Sequence, residues 1–165
     1  MNIDVTYQSI EDRIRLTVRN EHARVDWWLT RRFVMQLLPA WLKQIEHVAL
    51  PQVPFLPPVP RNVAQEHALS LEFDGPRQHR PAAAEAVTPL LTNEISLKVA
   101  AATCDLVIRH PSAQTEIQLT RKEAHAVLEL LAQQARHAGW LSVPAGDAWP
   151  TWLGQSTWQD QDRST

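Results

Sequence analysis

The chain of 165 residues has one cysteine, one tyrosine and four glycines. A lone cysteine, Cys104, excludes an internal disulfide framework and the cysteine-rich zinc clusters. Four scattered glycines form no phosphate-cradling loop, and no GxSxG, Walker or dinucleotide motif occurs. No apolar run approaches the roughly 18 residues that a membrane-spanning helix needs, so no membrane association is expected. The opening MNIDVTYQSIEDRIR has no basic region followed by an apolar one, so a secretory signal is not expected. Together with the single thiol, this points to a reducing cytoplasm. Neither charge sign dominates: 18 Asp and Glu against 16 Lys and Arg give a formal charge of −2. That balance argues against a strongly basic nucleic-acid binder, while leaving room for a local basic face.

The seven histidines are His22, His47, His67, His79, His110, His125 and His137. None forms an HxH or HExxH pattern, and none pairs with cysteine at ligand spacing, so no metal and no cofactor are expected. His125 and Glu129, four apart on an expected helix, read as a surface pair. Cys104 falls on the core-facing phase of a strand, where a thiol is inert. A non-enzymatic protein is therefore expected, unless a catalytic site is assembled from residues far apart in sequence.

What the chain does have is apolar content (44%), twelve prolines and seven tryptophans. Asn2–Tyr7 reads as a short strand. In Asp12–Arg19, Ile14, Leu16 and Val18 alternate with Arg13, Arg15, Thr17 and Arg19, the period of a half-buried strand. Asn20, Glu21 and His22 suit a hairpin turn. Ala23–Leu29 alternates again, with Val25, Trp27 and Leu29 on one face and Arg24, Asp26 and Trp28 on the other. Thr30 then suits a helix N-cap. Arg31–His47 has helical spacing at Val34, Leu37, Leu38, Trp41, Leu42 and Ile45, with Pro39 expected to kink or split it.

Five prolines in residues 51–60 predict extended, polyproline-like chain. Leu69–Phe73 alternates and suggests a strand, and residues 76–89 read as a linker. Further strands are expected over Glu94–Val99, Cys104–His110 and Thr115–Leu119. Thr120 caps a last helix, Arg121–His137, with an apolar stripe of Ala124, Val127, Leu128 and Leu131, and Gly139 is a natural stop.

Residues 16–31 and 106–121 align without a gap at an offset of 90, with six of 16 positions identical, among them the Leu-Thr-Arg junctions Leu29–Arg31 and Leu119–Arg121. The pattern suggests two pseudo-repeats, about 1–48 and 67–138, joined by a Pro-rich segment (49–66). Residues 1–140 would then be one α+β domain, followed by a Trp-rich tail, 141–165. The expected fold is an antiparallel sheet of two hairpin–helix units with the helices packed on one face. This order resembles the tandem four-strands-then-helix plan of the PUR and whirly single-strand-binding proteins. The resemblance is one of topology and transfers no functional residue.

Two surfaces could bind. On the polar face of the first hairpin, Arg13, Arg15, Arg19, Arg24 and Trp28 could grip phosphates while a base stacks on the indole; equally, the arginines could pair with Asp12, Glu21 and Asp26. In the tail, Trp149 and Trp152 could dock on a partner or a second copy of the chain, or pack on the protein itself. A PxxP spacing in residues 51–60 fits a spacer better than a ligand for aromatic grooves. The leading expectation is a protein-interaction or assembly module that binds a protein partner or a second copy of itself. The alternative is single-stranded nucleic-acid binding on the Arg/Trp face.

Overall fold

The computed structural model describes residues 1–48, 62–73, 87–140, 150 and 152–155. Seven strands and three helices run in the order β1 (Asn2–Gln8), β2 (Arg13–Arg19), β3 (Arg24–Thr30), α1 (Arg31–His47), α2 (Val63–Phe73), β4 (Leu90–Leu91), β5 (Glu94–Val99), β6 (Thr103–His110), β7 (Ala113–Thr120) and α3 (Arg121–His137). The protein is α+β, with mostly antiparallel strands.

The strands form two sheets, β1-β2-β3-β4 and β5-β6-β7, and not the single sheet expected from the sequence. One extended stretch of chain stitches them together. Leu90 and Leu91 run parallel to Trp27 and Trp28 of β3. The Thr92 amide then donates to the Trp28 carbonyl at 3.0 Å, and the Asn93 amide to the Arg109 carbonyl of β6 at 2.8 Å. From Glu94 onward the same stretch is an antiparallel partner of β6.

Within the hairpins the registers correspond. Arg13 opposes Thr30 and Ile14 opposes Leu29 in β2–β3. Thr103 opposes Thr120 and Cys104 opposes Leu119 in β6–β7. Both hairpins run directly into a helix of 17 residues. Each junction is a threonine whose hydroxyl accepts a first-turn amide, Phe33 N for Thr30 and Glu123 N for Thr120. Glu123 also returns its carboxylate to the Thr120 amide, completing a capping box that α1 lacks. α1 continues through Pro39 as one helix.

The alternating residues of β1–β3 and β6–β7 build the core together with α1 and α3. Ile14, Leu16, Trp27, Leu29, Val34, Leu38, Trp41, Cys104, Ile108, Ile117 and Leu128 are buried. Two of the helices pack on strands of both sheets, α1 on β3 and β5 and α3 on β7 and β1, while α2 packs on α3. Burial, reinforced by the charge of Asp105, pushes the Cys104 thiol up to about 12, so it stays protonated and inert. α3 ends in a Schellman motif: Gly139 has φ +75°, its amide donates to Arg136, and the Trp140 amide to Ala135.

Two expectations are corrected. Leu69–Phe73 is the end of α2, not a strand. The Asn62 side chain caps this helix at the Gln65 amide, and packing against α3 decides its conformation. The second correction is that α3 is buried almost all round, well beyond the predicted stripe. The sheets cover one side, while α2 and a turn at residues 152–154 lie against the other. The proline-rich segment, residues 51–60, lies outside the described residues.

Candidate functional site

Arg13, Arg15, Arg19, Arg24 and Trp28 do share one face of the first sheet, opposite the core. Their strand phases place them there, and the register puts Arg15 beside Trp28 and Arg19 beside Arg24. Beneath them lies Asp26, fully buried. Arg15 donates to it through Nε at 2.7 Å and also through Nη2. Arg24 donates through Nε at 2.8 Å and Nη2 at 2.9 Å. Burial works to raise the Asp26 pKa, but the hydrogen bonds and charges of the two arginines prevail and hold it below the ordinary carboxylate value.

The Arg15 guanidinium also lies over the Trp28 ring, 5.9 Å from its centroid, and Nη2 donates to the Val87 carbonyl at 3.0 Å. The indole face is thus already occupied by a cation whose charge is matched. Arg19 Nε is buried without a hydrogen-bond partner among the described residues. Leu91, beside Trp28 in the register, is 44% exposed.

The tail residues divide. Trp140 is buried edge-on to Tyr7, with its indole N–H donating to Asp12 at 3.1 Å. Trp152 is half-buried against the His67 ring, centroids 4.9 Å apart. Leu153 next to it is fully buried. Trp149 lies outside the described residues.

The densest chemistry is where the sequence suggested none. His125 and Glu129 are fully buried, which corrects the expected surface pair. They form an every-fourth-residue stripe on α3 with Arg121 and Gln133, all buried. α2 brings Glu66, His67 and Ser70 against it. Arg121 donates to Glu66 through Nε at 2.7 Å and Nη2 at 2.9 Å, the two-pronged geometry that guanidinium and carboxylate share. His67 Nδ1 lies 2.9 Å from His125 Nδ1, and His67 Nε2 lies 2.8 Å from Glu129 Oε2. The Gly154 amide donates to the same Glu129 oxygen at 2.8 Å. Gly154 is required there: its φ is +78°, and a Cβ would come within 3.0 Å of the Ala132 backbone.

Burial would raise the Glu66 pKa, but hydrogen bonds and charges from His125 and Arg121 outweigh it and lower it to about 2. For His125, burial is the main cause of a lowered pKa; the His67 and Arg121 charges add to it and Glu66 opposes it.

These directions fix an acid response. The unfolded chain carries Glu66 near 4.5, so its contribution is complete above that pH and is lost as pH falls toward about 2. His125 is depressed from 6.5, so below that pH the unfolded chain takes up a proton the folded one resists. Both make acid destabilising, with His125 acting first. The midpoint of urea unfolding is expected to begin falling below pH 6.5 and to steepen below 4.5. In His125→Gln the early part of that fall should shrink; an unchanged profile would mean that the ring titrates as in water.

Sequence reasoning missed Glu66, His67, Arg121 and Glu129 as a group. The one available signal was the four-residue spacing of Arg121, His125, Glu129 and Gln133, which on a lone helix reads as a solvated stripe. The network ties α2 and the 152–154 turn to α3, and its closed packing suits a structural junction. No group of three or more metal-ligating side chains is arranged to hold an ion among the described residues. Comparison of the chain with protein-family models, curated proteins and solved structures finds no match.

Proposed function

We propose that this chain is a non-enzymatic assembly module that binds a second copy of itself through the outer face of β1–β4. We also infer that its β2-β3-α1 and β6-β7-α3 segments are pseudo-repeats within one domain. Matched registers, equal helix lengths and threonine caps support that inference.

The observation that carries the functional reading is the difference between the two outer faces. Arg13, Arg15, Arg19 and Arg24 outnumber Asp4 and Asp26 on the first sheet, beside Trp28 and the exposed Leu91. On the second sheet, Glu94, Asp105 and Glu116 outnumber Lys98 and Arg109. The faces are complementary in charge, and the first has an apolar anchor. A head-to-tail contact of this kind builds rings or open chains.

Single-stranded nucleic acid is the second reading, supported by the same arginines. It is weaker, because a stacking base must displace Arg15 from Trp28 and from Asp26.

Sedimentation velocity of the full chain over a range of concentrations tests the proposal. Mass should rise with concentration and fall with added salt, and Leu91→Asp or Arg19→Glu should return the protein to monomer without lowering its melting temperature. A monomer at every concentration would sink self-association. Salt-sensitive quenching of tryptophan fluorescence by single-stranded DNA or RNA, lost in Arg13→Ala, would then put the second reading first.

A further inference from the structure

The stitched sheets end in two strand edges, β1 on one side and β7 on the other. Main-chain parity decides which groups each edge presents. The Thr103 carbonyl accepts from the Ala100 amide at 2.8 Å, so the odd-numbered positions of β6 turn their main-chain groups toward β5. The even-numbered positions turn theirs toward β7, where their register partners are Ala113, Thr115, Ile117 and Leu119. Gln114, Glu116, Gln118 and Thr120 therefore direct their amides and carbonyls away from the sheet. The Thr120 amide obeys this parity, since the Glu123 carboxylate binds it at 2.8 Å from outside the ladder. Among the described residues, the main-chain amides of Gln114, Glu116 and Gln118 have no acceptor.

The β1 edge differs. There the Tyr7 amide points outward but donates to the Gln134 side chain at 2.8 Å, and α3 packs along the strand. β7 has almost none of the usual protections of an edge. It holds no proline and no lysine, and no bulge breaks its register with β6. The side chains of Gln114, Glu116 and Gln118 are exposed. We propose that the free edge of β7 is a strand-addition site, which takes an extended segment of a partner protein with a lysine or arginine opposite Glu116. Main-chain hydrogen bonds to residues 114, 116 and 118 would hold the segment, and the side chain opposite Glu116 would select it.

Charge names the occupant. Glu116 is the middle one of the three free positions and the one charged residue of β7. Its carboxylate accepts from Gln114 Nε2 at 2.9 Å, an amide partner that leaves its charge unmatched. One strand further in, beside Gln118, Asp105 has Oδ1 buried with no hydrogen-bond partner among the described residues. A cation on the added strand faces Glu116 directly and lies on the same side of the sheet as Asp105. A second copy of β7 does not suit the edge. The antiparallel register that uses all three free amides of both strands sets Glu116 against its own counterpart, and like charges directly opposite destabilise a strand pair. The self-association proposed above uses sheet faces and not this edge, so the two stand independently.

The test uses the full chain, dilute enough to be monomeric in sedimentation. The probes are two end-blocked heptapeptides of alternating valine and threonine, one with lysine at its centre and one with glutamate. Hydrogen exchange is followed amide by amide. In the free chain, Thr115 and Ile117 should be protected by β6, while Gln114, Glu116 and Gln118 exchange near their intrinsic rates. The lysine peptide should protect those three amides and bind about fivefold more tightly than the glutamate peptide. Added salt should shrink that preference. Glu116→Lys should reverse it, and Glu116→Gln should abolish it while leaving the even-numbered amides protected on binding. Protection of the three amides in the free monomer would mean that the chain covers its own edge, and the proposal would fall. Protection that grows with protein concentration would give the edge to a second copy and overturn it equally. So would binding of neither peptide, or a preference that Glu116→Lys leaves unchanged.

Discussion

Arg121→Met is expected to lower folding stability by about 3–5 kcal/mol at neutral pH, the usual cost of stranding one partner of a buried ion pair. Arg121 supplies both hydrogen bonds of a guanidinium–carboxylate pair to Glu66, and both residues are buried. Without it, the Glu66 carboxylate keeps, among the described residues, only the His125 ring at 3.3 Å. The cost belongs to the abandoned charge more than to the lost attraction. Arg121→Met combined with Glu66→Gln should therefore recover much of the loss, a non-additivity expected of direct partners. Denaturant unfolding of the two single variants and the double variant makes the measurement. A loss below about 1 kcal/mol in Arg121→Met would show that the pair is solvated, as exposed pairs are, and that α2 does not seal it.

The second large effect is expected at the junction of the sheets. Trp27 is fully buried, opposes Leu16 in β2 and lies beside Leu90 in β4. Its indole N–H reaches across to donate to the Thr115 hydroxyl of β7 at 3.0 Å. Trp27→Ala removes the largest side chain from this point and should cost about 3–5 kcal/mol, the transfer and cavity terms of a buried aromatic. Thr115→Val removes only the acceptor and should cost about 1 kcal/mol. The order of the two separates packing from hydrogen bonding. If Thr115→Val were the more damaging, the polar bridge and not the ring would be what joins β3 to β7.

The helices and hairpins were legible because their signals are local. Ile14, Leu16 and Val18 alternate with arginines, and a strand with one wet face must show that period. Thr30 and Thr120 stand before helical spacing, and a threonine hydroxyl there satisfies an amide that the helix itself cannot. The 17-residue helices begin and end where those signals place them. Leu69–Phe73 shows the limit of such reasoning. Five alternating residues fit a strand, but in the structure they extend a helix that Asn62 caps and that packs against α3.

The face bearing Arg13, Arg15, Arg19, Arg24 and Trp28 was also readable, since strand parity alone puts those residues together. Pairing with Asp26 was one of the readings left open, but which arginines make it was not legible. That Arg15 and Arg24 both close on Asp26 depends on rotamers and on cross-strand distance, which the sequence leaves open.

The sequence by itself determined the local elements, the caps and the side of each strand that meets the core, because each rests on neighbours within a few residues. Tertiary structure alone decided that there are two sheets stitched by residues 90–99, and that the polar stripe of α3 faces inward. A stripe of Arg121, His125, Glu129 and Gln133 is stable in water or against a partner of matched charge. Only the arrival of Glu66, His67 and the Gly154 amide, from segments 25 to 62 residues away along the chain, selects between the two.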